Sequence, residues 1–112
     1  MSMRQERNHD EHTRLISLKP QLIGLDGIVL STTEANIRNN RGTIVRQPDN
    51  LLFDPSTKTL YNVEYKSHHT KSQYNHAKIQ LYTSGKHLKH LFGDWNITNL
   101  YITDDYKVEV IK

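Results

Sequence analysis

The stretch Gln47-Pro48-Asp49-Asn50-Leu51-Leu52-Phe53-Asp54, the turn residues Pro55-Ser56-Thr57-Lys58-Thr59, and then Leu60-Tyr61-Asn62-Val63-Glu64-Tyr65-Lys66 read together as a β-hairpin. Side chains alternate between the two faces of a strand. Tyr61, Val63 and Tyr65 therefore share one face, and Asn62, Glu64 and Lys66 share the other. The first set predicts an apolar row against a core; the second places an acid and an ammonium side by side on the opposite surface. Pro48 donates no ladder hydrogen bond, so a strand running from Thr43 to Phe53 should hold it at an edge or a bulge.

Upstream of the hairpin, Ser31-Thr32-Thr33-Glu34 has the form of a capping box. It predicts a short helix through Ile37, ended by the turn cluster Asn39-Asn40-Arg41-Gly42. Leu22 to Leu30 is apolar but interrupted by Gly24 and Gly27, which fits a strand pair around Asp26-Gly27 or a buried irregular segment. Residues 1–12 are polar, flexible or the start of a helix, and Pro20 closes any helix through Thr13-Arg14-Leu15-Ile16. Downstream, Tyr74, Ala77, Leu81, Leu88 and Leu91 mark one face of a long helix stopped at Gly93. Gly85 lies on that face, where a small residue permits close approach to a sheet. Two closing strands follow at Ile97–Ile102 and Lys107–Ile111, joined through Asp104-Asp105. The order predicts a single α/β (α+β) domain over 1–112, with a mixed sheet flanked by helices.

A chain of 112 residues supports one modest core. The net charge of +3, with seven histidines in reserve, suits a polyanionic partner such as DNA. The absence of cysteine excludes disulfides, thiolate metal sites and cysteine nucleophiles. The charged first twelve residues contain no apolar secretory segment, and no stretch has transmembrane length. A soluble cytoplasmic protein is expected, in the host cytoplasm if the chain is viral.

Pro48-Asp49, fourteen intervening residues, and Glu64-Tyr65-Lys66 resemble the signature of the PD-(D/E)xK nucleases, the restriction-endonuclease-like superfamily. The resemblance covers residues 43–92 and extends to small stand-alone members such as Holliday-junction resolvases and VRR-type viral or phage nucleases. It implies a restriction-endonuclease-like core and Mg²⁺-dependent hydrolysis of DNA, with Mn²⁺ able to substitute. Asp49 and Glu64 would be metal ligands, joined by the Tyr65 carbonyl, and Lys66 would handle the attacking water. Hard Mg²⁺ on carboxylates suits phosphodiester chemistry, and an ammonium beside it can meet a nonbridging oxygen.

Ile79-Gln80-Leu81-Tyr82 is similar to the glutamine-bearing helix of RecB-like nucleases, with Ser84 where a tyrosine often follows. Gln80 is thus a fourth catalytic candidate. Gln73, seven residues earlier and nearly on the same helical face, is its alternative. The third acid that the family's first helix often supplies falls to Glu34 or Glu11. Branched or single-stranded DNA and a homodimer are the partners the resemblance implies, with Arg41, Arg46, His68, His69, Lys71 and Lys78 as phosphate contacts. A non-catalytic nucleic-acid-binding module, or a degenerate nuclease-fold subunit, is the alternative. His87 and His90 lack the spacing and partners of a zinc site, and most of the tyrosines fall on inward rows.

Overall fold

The computed structural model describes residues 3–39 and 41–112, with side chains from His9 onward except Val45. Helix α1 (Met3–Leu18) comes first, then a 3-10 turn (Pro20–Ile23). Strands β1 (Leu30–Thr33), β2 (Ile37–Arg38), β3 (Ile44–Arg46), β4 (Asn50–Asp54) and β5 (Thr59–Tyr65) follow. Helix α2 (Lys71–Leu91) leads to β6 (Asn96–Ile102) and β7 (Val108–Ile111). β1, β4, β5, β6 and β7 form one mixed sheet in that spatial order, while β2 and β3 form a small separate hairpin. All pairs in the main sheet are antiparallel except β5 with β6, the two strands that α2 connects. A parallel pair needs such a crossover, and the helix it uses must pack back on the sheet.

The sheet is covered on both faces. Tyr61, Val63 and Tyr65 of β5 join Leu52, Leu100 and Ile102 in a cluster with Ile16 of α1 and Ile23 of the 3-10 turn. Leu60 packs on the other face with Leu51 and with Leu88 of α2, and Tyr101 with Ala77 and Leu81. The polar row of β5 is therefore not on a solvent surface as the alternation predicts. Asn62 is fully buried and Glu64 is 8% exposed, because α2 lies over them. Gly85 permits this approach: a Cβ there would stand 3.0 Å from Asn99 Oδ1 on β6.

The structure corrects two other expectations. Ser31 to Thr33 belong to β1 and not to a capped helix, because their backbone pairs with β4. Glu34 then turns the chain at a φ of 52°. The Thr43–Phe53 strand is two strands, β3 and β4, in different sheets, and the break falls at Gln47-Pro48-Asp49. Of the two readings of the Leu22–Leu30 stretch, the irregular segment is the one found: residues 24–29 form no strand, and Leu25 and Ile28 pack on the core.

Of the two readings of residues 1–12, the helical one is found, with α1 running from Met3; Met1 and Ser2 lie outside the described residues. In the turn cluster, Asn39 Oδ1 accepts the N–H groups of Arg41 and Thr43, and Asn40 lies outside the described residues. Helix α2 ends at Leu91 with Phe92 as its cap, just before Gly93. No helix among the described residues is long and apolar enough to cross a membrane.

Candidate functional site

The registers Thr33↔Asn50 and Asn50↔Val63 fix what lies one residue further along each strand. Asp49 comes opposite Glu64 on one side and opposite Glu34 on the other, and the Glu34 N–H donates to the Asp49 carbonyl at 3.1 Å. Glu64 is in turn opposite Tyr101, and Tyr101 opposite Glu109. One end of the sheet thus carries Glu34, Asp49, Glu64, Tyr101 and Glu109 in a row across its strands. The break at Pro48, itself buried, frees the Asp49 side chain from the regular pleat while its neighbour Asn50 stays in the ladder.

Asp49 is 7% exposed and held at both oxygens. Oδ2 accepts the Tyr65 N–H at 2.7 Å, and Oδ1 lies 2.8 Å from His9 Nε2 of α1. The bond to Asp49 outweighs the cost of burying the imidazole and raises the His9 pKa to about 9, so the ring is an imidazolium at neutral pH. Burial, and then the charge of Asp49, push Glu64 the other way for an acid, up to about 8. Lys66, whose Nζ is 3.6 Å from Glu64 Oε1, only partly offsets this. Two buried carboxylates thus compete for the positive charge of one imidazolium, one ammonium and one retained proton.

Gln80 approaches from α2. Asn62 Nδ2 donates to Ser84 Oγ at 2.8 Å and to the Leu81 carbonyl, which fixes how the helix lies over β5. Helix and strand run in opposite senses. Two residues of strand span about 6.6 Å, close to four helical residues at about 1.5 Å each. The turn above Glu64 is therefore the one carrying Ala77 and Gln80. Gln80 Oε1 is buried without a hydrogen-bond partner among the described residues, an orphaned acceptor that a cation or a donor would satisfy. Gln73 sits in the first turn of α2, and its N–H is taken by the capping Thr70 hydroxyl.

Of the two further acids, Glu34 and not Glu11 falls in a cluster of groups able to hold a metal ion. Glu34 is exposed, and one of its carboxylate oxygens lies within 4.8 Å of ligand atoms of both His9 and Asp10, a set that could hold a metal ion. Glu11 is turned toward Tyr106, whose hydroxyl pKa its charge helps to raise. His9 and Asp10 were missed by reading the sequence. They lie in a polar stretch with no apolar period, and only the His-Asp dipeptide and a second histidine three residues on hinted at a working face.

Of the basic candidates, His68, His69 and Lys71 are exposed in the connection from Lys66 into α2 and at its start. Lys78 is exposed on α2, with Nζ 5.4 Å from the centre of the Tyr74 ring. Arg41 and Arg46 are exposed on the turn and strand of the separate β2–β3 hairpin. Tyr82 departs from the inward rows at 67% exposure. Compared with protein-family models, curated proteins and solved structures, the chain finds no match in any of the three.

Proposed function

We propose that this chain is a divalent-metal-dependent nuclease of the PD-(D/E)xK type, hydrolysing phosphodiester bonds of DNA. The observation that carries the reading is the apposition of Asp49 and Glu64, two buried carboxylates, with Lys66 beside them. Burial and mutual repulsion keep a proton on Glu64, so a chain that holds two such acids together gains when a divalent cation replaces that proton. Asp49 and Glu64 would hold Mg²⁺ or Mn²⁺, and His9 and the orphaned oxygen of Gln80 extend the donor set. When bound, the cation supplies charge neutralisation at phosphate and acidifies water.

The remaining work falls to the chain's own groups. Lys66 Nζ, tethered near Glu64, donates to a nonbridging oxygen and stabilises the charge that develops there. With a cation held by Asp49, His9 would release its proton to solvent, and the neutral imidazole would serve as a ligand or a base. The exposed His68, His69 and Lys71 lie where flanking phosphates would run. Action on branched DNA as a homodimer belongs to the same proposal, and sedimentation showing only monomer at assay concentration would remove the dimer.

The test is cleavage of plasmid, single-stranded and branched DNA with Mg²⁺ or Mn²⁺ by wild type, Asp49→Ala and Lys66→Ala. Cleavage by the wild type alone is expected. Equal activity in all three sinks the proposal, and salt-sensitive binding without cleavage in either metal favours a non-catalytic nucleic-acid module.

A further inference from the structure

Beyond Glu64 on the same face of the sheet, the row continues through Tyr101 to Glu109, two strand spacings or about 10 Å away. A hollow of about 380 Å³ opens there, within the range of small-ligand pockets, roughly 300–1,000 Å³. Its walls are His69, Tyr101 and Val108, and its rim carries Thr103, Lys107 and Glu109. The wall is rigid where it matters. Tyr101 is 2% exposed, its hydroxyl lies 3.0 Å from His69 Nδ1, and its ring meets those of His69 and Tyr74.

Asp105 also lines the hollow, but its carboxylate is engaged by the Thr103 hydroxyl at 2.8 Å and by Lys107 at 3.7 Å. Glu109 differs. It is exposed, and it accepts from the Tyr74 hydroxyl at 3.1 Å, a single donor to a group with about four acceptor positions.

We infer that this hollow receives an unpaired guanine of the strand whose phosphodiester lies at Asp49 and Glu64, an inference that rests on the nuclease reading. Two carboxylates against one ammonium on the rim disfavour a phosphate and favour a neutral partner rich in donors. The exposed His69 ring, backed by Tyr101, suits a base, since stacking on aromatic side chains is how single strands are commonly gripped. Guanine presents N1–H and N2–H side by side, a pair that matches the two oxygens of Glu109, and Lys107 can reach O6. That edge is occupied in a duplex, so the hollow selects a strand that is single or splayed beside the scissile bond.

The experiment measures fluorescence anisotropy of short labelled single strands in EDTA, so that no cleavage enters. The strands differ at one position, which carries guanine, inosine or thymine. Guanine should bind roughly tenfold more tightly than thymine, with inosine between, as a bidentate base contact discriminates. Glu109→Gln and the hollow-filling Val108→Trp, both at exposed edge positions, should abolish the preference for guanine over thymine. Equal affinity for the three strands overturns the inference, as does free dGMP competing as well as the strand. Cleavage by a wild type that shows no base preference overturns this inference alone. Base preference without cleavage supports the hollow and removes the nuclease reading instead.

Discussion

Replacing Glu64 by glutamine should stabilise the metal-free protein at neutral pH and abolish its response to metal. The Glu64 carboxyl is 8% exposed, and its proton leaves near pH 8 in the folded chain against about 4.5 in the unfolded one. Its folded pKa is raised, so the folded state binds more protons between those values. Stability is therefore fully present below about 4.5 and is lost as pH rises through the window to 8. At pH 7.5 the folded chain keeps a proton that the unfolded chain released about three pH units lower, a cost of about 4 kcal/mol at full weight. The charges around Glu64 share that cost, so about half of it, about 2 kcal/mol, is assigned to Glu64 itself.

Glutamine keeps the shape and removes the charge. In urea, Glu64→Gln should raise the unfolding midpoint by about 1 M at pH 7.5 and by little at pH 4.5. Added Mn²⁺ should raise the wild-type midpoint and leave that of the variant in place, because only a ligand that binds the folded state stabilises it. An equal shift at both pH values, or a variant less stable at pH 7.5, would refute the account of a frustrated carboxylate pair.

The other expectations concern the same corner of the sheet. Cation affinity, measured by calorimetry, should rise with pH between about 6 and 9, because protons on His9 and Glu64 must leave; His9→Ala should flatten that dependence. Lys66→Ala should retain cation binding yet lose cleavage by roughly 10²-fold or more, and loss of both together would place Lys66 among the structural groups. Gly85→Ala should lower stability by about 1 kcal/mol in thermal unfolding in spite of its better helix propensity, because the new methyl meets Asn99, which Asn62 holds at 3.0 Å.

What the sequence disclosed, and what it hid, follows from how local each signal is. Helix α2 and strands β5, β6 and β7 were legible because their apolar periods are long and little competes with them. The Ser31–Glu34 segment misled because a capping box is a local pattern, whereas β1 is made by a distant partner: its backbone pairs with β4, and Ser31 Oγ donates to the Ser17 carbonyl of α1 at 2.7 Å. Helix α1 was the hardest to read. It buries Ile16 and Thr13 on a largely polar helix, so packing against the sheet holds it and no amphipathic stripe announces it. Hence Asp49, Glu64 and Lys66 could be read from the chain, and His9 could not.

Two buried asparagines show how those separate readings become one site. Asn50 adjoins Asp49, is fully buried, and donates from Nδ2 to the Thr13 carbonyl at 2.8 Å and to Ser17 Oγ at 2.9 Å, tying β4 to α1. Asn62, two residues before Glu64, ties β5 to α2 on the opposite face through Ser84, and to β6 through Asn99. An apolar side chain at either position would bury as well and cost less desolvation. It would also let the helix slide, since apolar contact has no direction, whereas hydrogen bonds to a buried amide set one register. The register matters because α1 brings His9 to Asp49 and α2 brings Gln80 over Glu64. Asn50 and Asn62 are thus positioning residues, and they place on each helix the one group that the strands cannot supply.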